Sequence, residues 1–187
     1  MPRLPEFDEA RFDARQQTIY DEILASRGHL GGPFKIWLYS PELADRTQRL
    51  GEFLRYHTSL EPRLSELAIL VVGRHYNCQV EWTLHERFAR EAGLAPPIID
   101  ALRQREVPTD LQADEAAVYT YASEILVAAV VSDETFATAQ AALGDKALIE
   151  LTSIVGHYVH VSMTLNAFQV PLPKGTMPTL VDCPTFR

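Results

Sequence analysis

The sequence has little cysteine and no long apolar run, and both shortages restrict what the protein can be. Cys78 and Cys183 are the two cysteines among 187 residues, too few for a disulfide framework and suited to a reducing cytoplasm. The first eight residues lack the apolar core of a signal peptide. The longest apolar runs, Leu67–Val72 and Ile125–Val131, are too short to cross a bilayer. We therefore expect a cytoplasmic protein with no membrane partner.

Positive charge is also scarce. The chain has 17 Lys and Arg against 25 Asp and Glu, a formal net charge of −8, and no basic cluster. Because binding to phosphates requires clustered Lys and Arg, a nucleic-acid partner is not expected. Hydrophobic residues make up 47% of the chain and charged residues 22%, as in ordinary globular proteins. The length fits one domain over residues 1–187, with an extended proline-containing tail from about residue 171.

Helix-start and helix-stop signals recur along the chain, whereas no convincing alternating strand pattern is found. Proline opens several helices, and glycine ends others. We predict an all-α fold of about eight helices, near residues 13–27, 40–57, 62–76, 78–92, 96–105, 112–130, 132–144 and 146–168. The third is apolar nearly all round, which predicts a buried central helix. The last has an apolar stripe wide enough to contact both the core and a second subunit.

One stretch across two consecutive helices carries the residues best suited to chemistry: Glu66, Cys78, Glu81 and His85. Glu81 and His85 are four residues apart, so they share one helix face. Most of that face is apolar, and burying a carboxylate and an imidazole there is costly unless each has a partner. The pattern predicts either an acid–base site or a satisfied buried network that fixes helix packing.

The same residues resemble the carboxymuconolactone decarboxylase family, the group that also contains the alkylhydroperoxidase D (AhpD) proteins. Glu81-Trp82-x-x-His85 is similar to the Glu-Trp-x-x-His of the decarboxylase-like branch. Segments around Gly32-Pro33-Phe34 and Leu165-Asn166-Ala167-Phe168 also agree. The resemblance implies an AhpD-like helical bundle that forms a homo-oligomer, a trimer or hexamer. It also implies a small-molecule substrate and no cofactor.

For a decarboxylase, the resemblance implies a cofactor-independent lyase acting on a small carboxylated lactone or oxo-acid. Such a reaction needs a group that stabilises the enolate left by carbon dioxide and an acid that returns a proton to carbon. We assign His85 the proton-donating or enolate-stabilising role, Glu81 the role of orienting it, and Glu66 that of tuning the pair. A non-catalytic oligomeric protein that binds a small molecule would require the same lined pocket.

Cys78 supports a second alternative, a thiol-dependent peroxidase. In the peroxidase branch a second cysteine resolves the oxidised thiol, but here Glu81 occupies that position. A one-cysteine cycle with an outside thiol would remain, since His85 could lower the pKa of Cys78. The simpler interpretation is that Cys78 is a small buried residue at a helix junction.

Four further residues are candidates for binding the substrate. Arg74 could pair with a carboxylate or simply be a solvated helix end. Trp82 could wall a pocket or belong to the core. His157 and His160 are three apart on the last helix and could line the pocket, or occupy the core or an interface. No third ligand stands at a recognisable local spacing from this pair, so no metal site is predicted.

Overall fold

The computed structural model describes residues 2–5, 8–180 and 182–186. In this part of the chain all regular secondary structure is helical, which confirms the predicted fold class. After a 3₁₀ turn at Glu9–Arg11 there are eight α-helices. They are α1 (Ala14–Arg27), α2 (Phe34–Trp37), α3 (Pro41–Tyr56), α4 (Pro62–His75), α5 (Gln79–Glu91), α6 (Pro96–Gln104), α7 (Ala113–Ala128) and α8 (Asp133–Ala167).

The helix ends follow from local sequence signals. Asp13 caps α1 through a capping box with Gln16, and Gly28 ends it at φ 74°. Proline is found in the first turn of α3, α4 and α6. The predicted break between the last two helices is a kink at Gly144, whose φ of 77° lies outside the helical region. The short helix α2 was not predicted, because four residues beside a proline carry no measurable periodicity.

Helix α4 lies at the centre of the fold. It packs against α5, α6, α7 and α8, and every residue from Leu64 to Arg74 is buried. The turn from α4 into α5 is tight, because Cys78 N–H donates to the carbonyl of Gly73 at 2.8 Å and Cys78 then forms the N-cap of α5. This turn places Glu66 of α4 beside the first turns of α5.

The end of the chain runs back along the protein. Residues 171–173 line a cleft of about 490 Å³ together with Pro2, Leu4 and Pro5. Further along, Asp182 accepts from Arg74 of α4 at 2.7 Å. None of the helices in the described ranges is long and apolar enough to cross a membrane.

Candidate functional site

Helices α3, α4, α5 and α8 bring charged and polar side chains around His85. The imidazole is 7% exposed and contacts a carboxylate at each nitrogen. Nδ1 lies 2.7 Å from Glu66 Oε2, and Nε2 lies 2.8 Å from Glu81 Oε1. The contact with Glu81 follows from its i, i+4 spacing with His85 on α5. The contact with Glu66 follows from the turn that packs α4 against α5. Glu66, Glu81 and His85, which the sequence predicted to lie together, are therefore joined by hydrogen bonds.

The two carboxylates determine the protonation state of His85. Burial by itself lowers its pKa, but the charges and hydrogen bonds of Glu81 and Glu66 outweigh burial and raise the pKa to about 9. At neutral pH the ring is an imidazolium, and both of its N–H groups donate. The Glu66 carboxylate, the His85 imidazolium and the Glu81 carboxylate are therefore connected in a row by hydrogen bonds.

Arg55 of α3 completes the group on the side of Glu66. Its Nη1 donates to Glu66 Oε1 and lies 3.3 Å from His85 Nδ1, while its Cζ is 4.3 Å from the Phe88 ring centroid. Burial would raise the pKa of Glu66, but the positive charges of His85 and Arg55 hold it below its usual range. Glu66 is thus an ionised bridge between two cations. Sequence reasoning missed Arg55, since no local spacing connects it with α5.

A cavity of about 130 Å³ lies against this group. It is lined by charged and aromatic side chains that include Glu81, His85, Arg55, Tyr158, His157, Trp37 and Arg27. Glu81 uses Oε1 for His85, and its Oε2 has no hydrogen-bond partner among the described residues. The volume is below the range of about 300–1,000 Å³ typical of drug-sized ligands. A small organic molecule therefore fits best.

Tyr158 of α8 stands over the imidazole, with ring centroids 5.1 Å apart in an edge-to-face arrangement. Burial is the largest cause that raises the pKa of its phenol, and Glu81 adds to it. The phenol therefore stays protonated at neutral pH and can donate a hydrogen bond.

The four substrate-binding candidates occupy different places. His157 lines the cavity. His160 stacks on Trp37 with centroids 5.0 Å apart and is not a lining residue. Trp82 is fully buried in the core and donates to Glu86 at 3.2 Å. Arg74 lies away from the cavity, paired with Asn77 and Asp182.

Cys78 lies in the core rather than at the cavity. Its side chain is fully buried, and burial, reinforced by the charge of Glu81, raises the pKa of the thiol to about 12. A thiol in this environment stays protonated at neutral pH, whereas the thiolate is the nucleophile. Across the described ranges, no group of three His, Cys, Asp or Glu residues is arranged to hold a metal ion.

The raised pKa of His85 makes stability depend on pH. The group is protonated more readily in the folded chain than in the unfolded chain, so its contribution is complete below about pH 6.5 and is lost as pH rises through about 9. Its size is about 3 kcal/mol. We expect the difference in unfolding free energy between wild type and His85→Gln to shrink by that order between pH 6.5 and 10. Urea unfolding at several pH values measures it.

The control for this pH series is His75→Gln, because His75 is exposed at the end of α4. Because an exposed substitution outside a buried network changes stability little, its difference from wild type should stay within about 0.5 kcal/mol across the series. A wild-type advantage over His85→Gln that stays constant up to pH 10 would contradict the raised pKa.

Comparison with known proteins supports the fold and the family resemblance. The model of the carboxymuconolactone decarboxylase family matches residues 41–124, the segment that holds Arg55, Glu66, Glu81 and His85. No curated protein sequence matches the chain.

Several solved structures have the same fold. A protein of unknown function from Agrobacterium tumefaciens, described as a candidate antioxidant defence protein AhpD, has a TM-score of 0.65 at 20% identity, over 74% of this chain and 95% of its own. An uncharacterised peroxidase-related protein from Silicibacter sp. TM1040 has a TM-score of 0.72 at 16% identity, over 100% and 96%. The debrominase Bmp8 has a TM-score of 0.72 at 12% identity, over 90% and 91%. At these identities the likeness concerns the fold alone.

Proposed function

Because the chain has the AhpD-like fold and its resemblance to the carboxymuconolactone decarboxylase family is confirmed, we propose that it is a cofactor-independent lyase. Its substrate is a small carboxylated lactone or oxo-acid. The observation that carries the proposal is the imidazolium of His85 held between Glu66 and Glu81 at the wall of a small cavity. A structural network alone would not need a carboxylate oxygen left unpartnered beside that cavity.

The reaction begins with cleavage of the bond between the substrate's carboxylate carbon and its α-carbon. Carbon dioxide leaves, and the bonding electrons move onto the neighbouring carbonyl oxygen, which forms an enolate. The positive charges of His85 and Arg55 and the hydroxyl of Tyr158 favour this developing negative charge. In a small, partly buried cavity such charges act more strongly than in water.

The second step returns a proton to carbon. Both nitrogens of His85 are engaged by carboxylates, so the direct donor in our proposal is Glu81. His85 Nε2–H passes its proton to Glu81, which delivers it to the α-carbon as the carbonyl re-forms. Solvent then restores the imidazolium. Glu66 and Arg55 hold the ring in place. This assignment differs from the one suggested by the sequence, in which His85 donated the proton and Glu81 oriented it.

The experiment that tests the lyase is release of carbon dioxide from 4-carboxymuconolactone by purified wild-type protein, followed with a coupled assay. Release above the rate without protein supports the proposal. The lyase proposal would be contradicted if no carbon dioxide is released from this compound or from a panel of small carboxylated lactones and oxo-acids. Binding of such a compound without turnover would favour the non-catalytic alternative.

The peroxidase alternative predicts a reactive Cys78. Since this thiol is fully buried and its pKa is raised to about 12, whereas Cys183 is only half-buried, we expect a thiol-specific reagent to modify Cys183 faster than Cys78 in the folded protein. Cys78 should react after unfolding. Mass spectrometry of wild type and Cys78→Ser, with and without denaturant, locates the modified residue. Rapid labelling of native Cys78, together with peroxide consumption that Cys78→Ser abolishes, would favour the peroxidase instead.

We also propose that the protein assembles as a homo-oligomer. Helix α3 and Tyr39, two residues before it, expose several large apolar side chains: Tyr39, Leu43, Leu50, Phe53 and Tyr56. Burial of such a set between copies would be favourable. Light scattering coupled to size-exclusion chromatography would show the number of subunits.

A further inference from the structure

Arg27 differs from the other arginines that the structure describes. Each of the others forms an ion pair with a carboxylate or, at Arg3, donates to a backbone carbonyl, whereas the guanidinium of Arg27 has no hydrogen bond or ion pair with a described residue. Its Nε is buried and unsatisfied. A buried N–H without a partner costs free energy unless a ligand accepts its hydrogen bond.

The guanidinium of Arg27 is held in place by aromatic rings. Arg27 is the last residue of α1, and its Cζ lies 4.8 Å from the Phe34 ring centroid and 5.7 Å from that of Tyr56. Both distances are within cation–π range. Arg27, Phe34 and Tyr56 all line the cavity that contains Glu81 and His85. The rings position the charge at the cavity without neutralising it.

Gly51 of α3 leaves room for this arrangement. A Cβ atom at Gly51 would lie 2.9 Å from His157 Nε2 and 3.2 Å from Arg27 Nη2, so any side chain would displace one or both. The side chains of Arg27 and His157 thus both lie next to Gly51, at one end of the cavity.

His157 adds a neutral hydrogen-bonding group. Burial lowers its pKa to about 4 and outweighs the opposite effect of Glu81, and the charge of Arg27 lowers the pKa further. This end of the cavity therefore presents one fixed cation beside a neutral imidazole.

We propose that Arg27 and His157 form a carboxylate-binding subsite. The subsite recognises a carboxylate that stays on the substrate, because a departing carboxylate should be bound less tightly as it loses its charge. A planar guanidinium suits a carboxylate through two parallel hydrogen bonds. The statement about the substrate rests on the proposed lyase function, whereas the binding site itself does not.

Binding of 2-furoate, a small cyclic carboxylate, tests the subsite without any turnover. Its neutral isostere 2-furamide has the same ring and shape. We expect calorimetric titration of wild type to show furoate binding about 10- to 100-fold more tightly than furamide. Arg27→Gln should lose that preference for furoate, while its binding of furamide should change little.

Two further variants separate a loss of the subsite from a loss of the fold. Arg46→Gln removes an exposed arginine of α3 that pairs with Glu42, and it should bind furoate like wild type. Gly51→Ala keeps every charge but displaces His157 and Arg27, and it should weaken furoate binding about tenfold or more. Circular dichroism confirms that each variant is folded.

Equal affinity of wild type for furoate and furamide would overturn the subsite, as would furoate binding that Arg27→Gln leaves intact. No furoate binding by wild type up to about 10 mM would also overturn it, because a single charged contact in a formed pocket should be measurable there. If furoate binding depends on Arg27 while no carboxylated compound is turned over, the subsite stands and the lyase proposal fails.

Discussion

Replacing Glu66 by glutamine is expected to lower the free energy of unfolding by about 3–5 kcal/mol at pH 7. The carboxylate of Glu66 lies between two cations, since it contacts His85 at 2.7 Å and accepts from Arg55. Without its charge, the Arg55 Nη1 and His85 Nδ1 atoms, 3.3 Å apart, belong to two buried cations that repel each other. Chemical denaturation of wild type and Glu66→Gln measures the loss.

The matched control is Glu61→Gln, at the N-cap of the same helix. Glu61 is exposed, and its nearest cation, Arg63, is 3.8 Å away, so the change should stay within about 0.5 kcal/mol of wild type. Glu66→Gln should also bring the pKa of His85 down from about 9, which NMR titration of the ring would detect. A variant as stable as wild type, with an unchanged His85 titration, would contradict this account.

A double variant separates the charge effect from a packing effect. Arg55→Met removes one of the two cations, so Glu66→Gln combined with Arg55→Met should be less destabilised than the sum of the two single changes. Additive losses would mean that the three side chains do not act as a unit.

The sequence predicted more of the fold than of the cavity, and the reason is distance along the chain. Glu66, Glu81 and His85 fall on two consecutive helices whose faces can be worked out from a 3.6-residue period and one turn. Arg55, Arg27 and Tyr158 come from three other helices, and their convergence depends on tertiary packing. An amphipathic pattern marks which side of a helix is buried, but it does not show which helix it faces.

Arg74 illustrates the same limit. An arginine in the last turn of the central helix was a reasonable candidate for binding a carboxylate, but its partner Asp182 lies 108 positions away in the tail. Arg27 is also in the last turn of its helix, and no acidic residue reaches it among the described residues. The sequence offers no signal that separates these two arginines, because the difference lies entirely in what folds against them.

Replacing Glu81 by glutamine is expected to reduce turnover by about 10²–10⁴-fold, with a smaller effect on substrate binding. Glutamine keeps the size and can still accept from His85 Nε2–H, but it carries no acidic proton to return to carbon. Because the loss falls on proton delivery, kcat should drop while KM changes little. Carbon dioxide release measured over a range of substrate concentrations separates the two parameters.

His85→Gln distinguishes a relay from a direct donor. If Glu81 delivers the proton and His85 resupplies it, both variants should lose turnover, and the double variant should be little worse than either alone, since the residues act in sequence. His75→Gln, which removes an exposed imidazole from the neighbouring helix, should keep full activity. Full turnover by His85→Gln would end the acid–base assignment. Loss confined to His85→Gln, with Glu81→Gln active, would mean that the imidazolium acts on the substrate directly, because Glu81 would then serve only to hold the ring.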